Sequence, residues 1–398
     1  PDGNHLEESG GDGGMKWEIA KLGKIAIIRT GKLDSNAAVI GGRYPFFTCD
    51  PNTLSIDVWA YDTEAVLLAG NNASGNYTAK YYKGKFNAYQ RTYIIESANE
   101  EELNIRYLCY ALNQQLRLLK TMSSGSTTKF LTIRMLDNLD IPLLGIDIQT
   151  QIVNILSAYD DLIENNQKQI KLLEEAAQRL YKEWFVDLRF PGHENTKIVD
   201  GVPEGWRVAS IADICDTVGG GTPSTKIQSY YEKGDILWVT PTDITRNFSL
   251  ALLDTEKKIT PEGLKNSSAK MLPAETILMT SRASVGFFGM CKYEVCTNQG
   301  FISCIPKREN LQMYLLFNLK SRVEEIRQKA GGSTYLEISK TVFRELKIIL
   351  PKDEVLAEYQ KNVHDIFDEI YCRTEMIKSL VDMRNRLLPK LMSGEVEV

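Results

Sequence analysis

The apolar residues between positions 149 and 186 follow a helical period. From Tyr159 they recur in alternating steps of four and three residues, which is the heptad spacing of a coiled-coil seam. A helix from Gln149 to Val186 would be about 57 Å long at 1.5 Å per residue, which is more than one small domain needs for its own packing. The seam consists of Tyr159, Ile163, Asn166, Ile170, Leu173, Ala177, Leu180 and Trp184.

A second seam lies 207 residues further along the chain. Since the two match over nearly four heptads, we predict that the helices 149–186 and 354–392 pack on each other. In an antiparallel pair, helix length would fix the separation of the flanking domains. Both seams have a polar third position, where a buried polar group typically fixes register. The second seam consists of Ile366, Ile370, Arg373, Ile377, Leu380, Arg384, Leu387 and Leu391.

The two halves of the chain repeat one order of features. Each opens with a tryptophan and a following glycine, Trp17 with Gly31 and Trp206 with Gly220, and continues with short apolar runs typical of strands. The predicted strands are 44–49, 65–70, 93–96 and 139–142 in the first half and 236–239, 276–281, 300–305 and 346–351 in the second. Predicted helices cover 101–120 and 311–329, and Gly-Ser-Thr turns follow them at Gly125, Ser126, Thr127 and at Gly332, Ser333, Thr334.

The repeat predicts a mixed α+β fold, with two globular domains separated by two long helices that form an antiparallel coiled coil. The predicted boundaries are 15–148 for the first domain, 149–190 for the central spacer helix, 191–353 for the second domain and 354–398 for the C-terminal spacer helix. Residues 1–14 are Gly-rich and acidic and precede Met15. We interpret them as the remnant of an expression tag.

Composition is that of a globular protein, with 43% hydrophobic and 25% charged residues. The chain has no apolar run long enough to cross a bilayer, so we expect a cytoplasmic protein without a membrane partner. The net charge is −5, and Asp2, Glu7, Glu8 and Asp12 of the presumed tag contribute four of these charges. A nearly neutral remainder argues against non-specific coating of nucleic acid but leaves room for basic patches.

Motifs for catalysis are missing from the sequence. It contains no phosphate-binding GxxxxGK[ST] loop, no spaced GxGxxG, no GxSxG elbow and no Asn/Asp-Pro-Pro-aromatic tetrapeptide of a DNA methyltransferase. The 7 cysteines include no CxxC pair, and the 3 histidines lie at no metal-site spacing from them. We therefore expect no catalytic residue, no metal and no cofactor in this chain.

Two other functional classes stay open on the residues alone. Asp243, Glu256 and Lys258, with Lys257 between them, loosely match the acidic pair and lysine that hold Mg²⁺ in many nucleases. Such a triplet arises easily by chance among 52 acidic residues. A coiled-coil scaffold without any role on DNA is the other alternative.

Basic, aromatic and amide residues are interleaved between positions 65 and 95, where no acidic residue occurs. Lysine and arginine neutralise phosphates, whereas Asn, Gln and Arg pair with base edges in the major groove. In the first half the predicted DNA-binding residues are Lys80, Lys83, Lys85, Tyr89, Gln90 and Arg91. The second half has a weaker set, namely Thr222, Lys226, Arg246, Ser281, Arg282, Asn298 and Gln299.

These residues resemble the specificity (HsdS) subunits of Type I restriction-modification systems, over essentially Met15 to the C-terminus. The family-like segments are GGRYPFFT at 41–48, which adds Arg43 to the DNA-binding candidates, GKFNAYQRTY at 84–93, the paired Gly-Ser-Thr turns and the proline-then-helix units. The resemblance implies that each domain reads one half of a bipartite, asymmetric sequence in double-stranded DNA. It also implies that the helices dock two methyltransferase subunits, that restriction subunits join them, and that S-adenosylmethionine, ATP and Mg²⁺ serve those partners.

Overall fold

The computed structural model describes residues 18–72, 77–122, 129–332 and 335–398. Two compact units make up the chain: residues up to Asp161 together with Leu380–Val398, and Leu162–Ser379. Each unit thus contains part of both long helices. The presumed tag 1–14, Trp17, the turn Gly125, Ser126, Thr127 and the residues Ser333 and Thr334 lie outside the described residues.

The first unit is mainly built on strands. They are β1 (Glu18–Lys21), β2 (Ala26–Thr30), β3 (Tyr44–Phe47), β4 (Leu54–Ile56), β5 (Tyr61–Ala69), β6 (Asn71–Asn72), β7 (Ala79–Ala88), β8 (Thr92–Ser97), β9 (Lys129–Phe130) and β10 (Asp140–Leu143). Its helices are α1 (Leu22–Ile25), α2 (Ile105–Gln114), α3 (Leu116–Met122), α4 (Ile133–Asp137) and the first part of α5 (Ile146–Tyr181), and a 3₁₀ turn covers Ser35–Ala37.

The main sheet of this unit has the strand order β2-β8-β5-β7-β3-β4. The second half of β5, from Ala65 to Ala69, is a continuous apolar run because both of its faces are covered. Side chains alternate between the faces of a strand, so Ala65 and Leu67 pack with Phe86 in one core cluster. Val66 and Leu68 pack in a second cluster, together with helix α2.

The second unit has the strands β11 (Ile198–Val199), β12 (Val202–Pro203), β13 (Arg207–Ser210), β14 (Cys215–Val218), β15 (Ile236–Val239), β16 (Lys258–Ile259), β17 (Ile277–Thr280), β18 (Phe288–Gly289), β19 (Cys296–Thr297), β20 (Phe301–Pro306) and β21 (Lys347–Leu350). Its helices are α6 (Ile211–Ile214), α7 (Pro241–Thr245), α8 (Pro261–Lys265), α9 (Gln312–Ser321), α10 (Val323–Gln328), α11 (Lys340–Arg344) and most of α12 (Asp353–Ser393). Single 3₁₀ turns cover His193–Asn195, Gln228–Tyr230 and Glu309–Leu311.

The predicted repeat is confirmed by strand pairing. The order β14-β20-β17-β18 of the second unit matches β2-β8-β5-β7 of the first, and β16-β15-β19 matches β4-β3-β7. In the first unit one strand, β7, runs antiparallel to β5 and then parallel to β3. In the second unit β18 makes the antiparallel pairing and β19 the parallel one. The mixed α+β fold class is therefore correct.

Several predicted element limits were wrong, and two helices predicted as continuous are interrupted. The helix 101–120 begins only at Ile105, because the side chain of Asn104 accepts hydrogen bonds from the next backbone N–H groups and caps the helix. It is interrupted at Gln115, and the helix 311–329 is interrupted at Arg322. The strand predicted to end at Pro142 continues to Leu143, since a two-stranded ribbon with β1 tolerates a proline at its edge.

The two long helices pack antiparallel, as predicted. Helix α5 begins three residues before Gln149 and continues as a π-helical turn, Lys182–Val186. In the second unit Arg373 contacts Asn166, and Tyr359 contacts Tyr181 with ring centroids 6.4 Å apart. The later α12 residue therefore meets the earlier α5 residue, which defines an antiparallel pair.

The seam residues are all at least half-buried. Ile163, Asn166, Ile170, Ile370 and Ile377 are buried, whereas Tyr159, Leu173, Leu180, Ile366, Arg373, Leu380 and Leu387 are half-buried. Next to two of the half-buried residues, Tyr181 and Phe367 lie deeper, at 3% and 2% exposure. A straight α-helix drifts about 20° per heptad relative to a strict seven-residue repeat, so the buried stripe moves to neighbouring positions. None of the helices within the described ranges is long and apolar enough to cross a membrane.

Candidate nucleic-acid interface

A tight turn, Tyr89–Arg91, joins β7 to β8 in the first unit. The backbone N–H of Thr92 donates to Tyr89 O at 2.8 Å, and that of Tyr89 donates to Phe47 O at the end of β3, at 2.9 Å. The backbone N–H of Gln90 donates to Leu33 O at 2.8 Å. The turn 89–91 is therefore fixed between the end of β3 and the loop that follows β2.

The second unit holds an equivalent turn, Asn298–Gly300, which shares two of these backbone hydrogen bonds. Asn298 N–H donates to Val239 O at 3.0 Å, as Tyr89 does to Phe47. Ser281 N–H donates to Gly300 O at 2.8 Å, as Gly70 N–H does to Arg91 O at 2.8 Å. The two turns thus occupy the same place in the repeat. They share a central glutamine and differ at the other two positions.

The glycine that follows β2, or β14, lies against the turn in both units. A Cβ on Gly31 would lie 2.2 Å from Ala88 O and 2.4 Å from Tyr89 O. A Cβ on Gly220 would lie 2.1 Å from Thr297 O and 2.2 Å from Asn298 O. Backbone oxygens cannot move aside like the end of a flexible side chain, so these two positions require glycine.

Gly31→Ala is therefore expected to destabilise the first unit by about 1–3 kcal/mol, as overpacking of a well-packed site does. Thermal unfolding of the variant checks this. The matched control is Gly145→Ala, because a Cβ there would meet no described atom within 4 Å. Equal melting temperatures for Gly31→Ala and the unmodified chain would contradict the contact.

Three of the predicted DNA-binding residues, Tyr89, Gln90 and Arg91, form this turn, and a fourth, Lys80, lies on β7. Lys80 Nζ donates to Thr53 Oγ1 at 3.1 Å and to Asp50 O at 3.4 Å, in the β3–β4 loop. Burial lowers the pKa of Lys80. Arg91 is exposed, and its side chain forms no hydrogen bond or ion pair with the described residues. Its charge is thus available to a ligand.

The other three candidates of the first half contact different residues, in the connection from β4 into β5 or in β5 itself. Arg43 Nη2 donates to Asp57 O at 3.2 Å, and Lys85 Nζ lies 4.7 Å from the centroid of the Trp59 ring. Lys83 Nζ lies 2.8 Å from Glu64 Oε2, and this hydrogen bond raises the pKa of Lys83. Composition had grouped Lys83 and Lys85 with turn 89–91, but in the structure they contact other residues.

In the second unit, Thr222 and Gln299 are brought together, since the Thr222 hydroxyl donates to Gln299 Oε1. Asn298 Oδ1 accepts from Gly300 N–H at 2.8 Å, which shapes turn 298–300. Arg282 Nε lies 3.6 Å from Glu337 Oε2. Lys226 and Arg246 are exposed, with no side-chain hydrogen bond or ion pair to any described residue.

Ser281 needs a correction as a DNA-binding candidate. It is only 3% exposed, because it follows β17 directly and both its backbone groups are used: its N–H donates to Gly300 O and its carbonyl accepts from Ile338 N–H at 3.0 Å. Its side chain is therefore not presented to a ligand.

The nuclease-like triplet does not form a metal site. Asp243 caps helix α7, with Oδ2 accepting from Thr240 N–H at 2.7 Å and Oδ1 accepting from Glu256 N–H at 2.8 Å. Lys258 Nζ instead pairs with Asp254 at 3.3 Å. Both oxygens of Asp243 are thus engaged in structural hydrogen bonds, which favours a structural explanation of the triplet.

One cluster with metal-ligand chemistry was missed by sequence reasoning. Among the described residues, Glu275, His364 and Asp368 form the one group of His, Cys, Asp or Glu whose ligand atoms lie within 4.8 Å of one another. His364 already lies 3.1 Å from Glu275 Oε2 and 3.4 Å from Asp368 Oδ2, and Lys292 Nζ lies 2.6 Å from Asp368 Oδ1. The hydrogen bond between His364 and Glu275 and the ion pair between Lys292 and Asp368 account for the cluster. The only sequence signal was the four-residue spacing of His364 and Asp368.

Comparison with known proteins identifies the family. The family model for the Type I restriction modification DNA specificity domain matches residues 15–175 and 203–381, once for each half of the repeat. The chain belongs to this specificity family. It is therefore a DNA specificity subunit of a Type I restriction-modification system.

Two specificity subunits illustrate the relationship. The MjaIX subunit of Methanocaldococcus jannaschii is 38% identical over 173 residues, which cover 42% of this chain and 39% of that protein. The EcoDI subunit of Escherichia coli is 26% identical over 384 residues, which cover 89% of this chain and 82% of that protein. The crystal structure of a Type I S subunit from M. genitalium shares the fold, with a TM-score of 0.59, 17% identity and coverage of 94% of this chain and 96% of that one.

Proposed function

We propose that this specificity subunit reads a bipartite, asymmetric DNA sequence, and that each unit reads one half through its turn, 89–91 or 298–300. The observation that carries the proposal is the pair of turns. Two turns at the same place in the repeat, which share two backbone hydrogen bonds, present Tyr89, Gln90 and Arg91 in one unit and Asn298, Gln299 and Gly300 in the other. Different side chains on equivalent frames select different bases, so the half-sites differ.

Basic candidates of both units are assigned to the phosphate backbone. Arg91 and Lys80 in the first unit, with Lys226 and Arg246 in the second, supply the positive charge that a phosphate backbone requires. Lys83 is already paired with Glu64, which leaves it less charge to offer to DNA. Phosphate contacts hold the duplex in place, and the turn reads the base edges.

The proposed partners are two methyltransferase subunits and, in the complete complex, restriction subunits. S-adenosylmethionine, ATP and Mg²⁺ would be bound by those partners. Support comes from the two long helices, which keep large apolar side chains exposed: Leu162 is 48% and Leu172 62% exposed on α5, and Met376 is 47% and Met383 55% exposed on α12. Apolar side chains on an exposed helix face suit burial against a protein partner.

The test uses the chain assembled with the methyltransferase subunits of its own system, after methylation mapping in the source cell has given the recognised sequence. Arg91→Ala should weaken duplex binding while leaving assembly intact. A phosphate contact would weaken all duplexes alike and reduce the slope of log affinity against log salt by about one, whereas a base contact would cost about 1–3 kcal/mol at one position.

The matched control is Lys24→Ala, which removes an exposed positive charge from α1, before β2, whereas the turn contacts the loop after β2. It should leave binding unchanged. Unchanged affinity in Arg91→Ala and in Gln90→Ala, with assembly preserved, would remove turn 89–91 from the DNA interface.

A further inference from the structure

The side chain of Gln90 is held by an acidic residue at the centre of the proposed reading surface. Gln90 Nε2 donates to Asp34 Oδ1 at 2.7 Å, and its backbone N–H is bonded to the adjacent Leu33 O at 2.8 Å. Both side chains are exposed. A carboxylate repels phosphate, so the place of Asp34 on this surface is not explained by attraction to the DNA backbone.

The chemistry of the pair fixes the orientation of the glutamine amide. A carboxylate accepts hydrogen bonds and donates none, so it can bind only the NH₂ end of the amide. With Nε2 turned to Asp34, the Gln90 side chain offers Oε1, with both lone pairs, and one remaining Nε2 hydrogen. Because the backbone of Gln90 is also bonded to the same loop, this arrangement exists before DNA binds.

We propose that Asp34 is a positioning residue for specificity: it orients Gln90 so that the first unit selects a base with an exocyclic amino group in the major groove, adenine above all. This inference rests on the proposed function of turn 89–91. Adenine offers its N6 amino group to Oε1 and its N7 to the free Nε2 hydrogen, which is the paired contact that glutamine forms with this base. Guanine and thymine place a carbonyl oxygen, O6 or O4, against Oε1 and are rejected.

The second unit provides an internal contrast. There Gln299 is bonded to the hydroxyl of Thr222. A hydroxyl can donate or accept, so the amide of Gln299 can turn over without losing this partner. Thr222 therefore imposes no orientation, and the second unit gains no such preference from its glutamine.

The test measures methylation rates or duplex affinities of the assembled methyltransferase on a set of duplexes with single substitutions in the half-site read by the first unit. A bidentate pair gives about 5- to 150-fold discrimination against the wrong base. In Asp34→Asn, whose side-chain amide allows Gln90 to turn over, discrimination between amino-bearing and carbonyl-bearing bases should fall to within about threefold at one position. Asp34→Glu, which keeps the carboxylate, should retain it.

The control Thr222→Val should leave the preferences of the first half-site unchanged, and melting temperatures with assembly confirm that each variant is folded. Gln90→Ala should lose discrimination at the same position as Asp34→Asn. If Gln90→Ala loses it and Asp34→Asn keeps it, the positioning role is wrong while the proposed function stands. An even loss of affinity at every position in Asp34→Asn would likewise overturn the proposal. If Gln90→Ala changes no preference, Gln90 reads no base and the positioning role of Asp34 is wrong, whereas Arg91→Ala still tests the rest of the turn.

Discussion

Gln149→Met should destabilise the first unit by about 3–5 kcal/mol, although it keeps the size and helix preference of the side chain. Gln149 is 0% exposed. Its Nε2 donates to Glu102 O at 2.7 Å and to Leu144 O at 2.6 Å, and its Oε1 accepts from Asn104 N–H at 2.9 Å. Methionine leaves three backbone groups without this partner, and each unsatisfied buried group costs about 1–3 kcal/mol. Hydrogen exchange of the α2 amides measures the effect, because Asn104 caps that helix.

The matched control is Gln151→Met, two residues further along α5, where the side chain is exposed. A surface substitution of this kind changes stability by no more than about 0.5 kcal/mol. Equal protection of the α2 amides in both variants would show that water replaces the three hydrogen bonds. Because the side chain carries no charge, the loss should not depend on pH between 5 and 9.

The strands could be located from sequence because apolar runs and their ends carry the information. The run 236–239 is a strand with the predicted limits, 44–49 contains one, 93–96 lies within one, and 65–70 overlaps the second half of one. Helix limits were less accessible. The start of α2 depends on Asn104, whose capping bond was not apparent from the apolar pattern. Sequence analysis gave Gln149 no role beyond starting a helix, because its hydrogen-bond partners are not apparent from the sequence. Glu102 and Asn104 lie more than 40 residues earlier, and Leu144 precedes the helix.

The candidate site was predictable to the extent that it depends on composition. A stretch of basic, aromatic and amide residues indicated turn 89–91. Composition carries no information about partners, however, so it did not distinguish Lys83, which pairs with Glu64, from Arg91, which pairs with none of the described residues. It also missed Asp34, because an acidic residue is not expected on a DNA-binding surface. Which distant residues pair depends on the fold. The burial of a residue does too, and for this reason sequence analysis did not identify Ser281 as buried.

The polar positions of the two seams, Asn166 and Arg373, contact each other, which the sequence had not required. Arg373 Nη1 donates to Asn166 Oδ1 at 3.1 Å, and Asn166, only 3% exposed, donates through Nδ2 to Leu162 O at 2.8 Å. A second bond of Arg373, from Nη2 to Glu369 Oε1 at 2.6 Å, lies within α12. The pair thus forms the polar link between α5 and α12 that a coiled coil uses to define register.

Asn166→Leu alone should therefore lower the free energy of unfolding by about 1–3 kcal/mol, because it removes the partner of a charged group that is largely enclosed. Arg373→Leu should have a smaller effect, since Asn166 keeps its bond to Leu162. In the double variant both polar groups are gone, and replacement of a buried pair by apolar residues is often neutral or stabilising. The stability of all four chains, measured by chemical unfolding, gives the interaction energy of the pair, for which we expect about 1–2 kcal/mol. Purely additive single effects would mean that the bond between Arg373 and Asn166 contributes nothing, and register would then have to depend on the apolar seam alone.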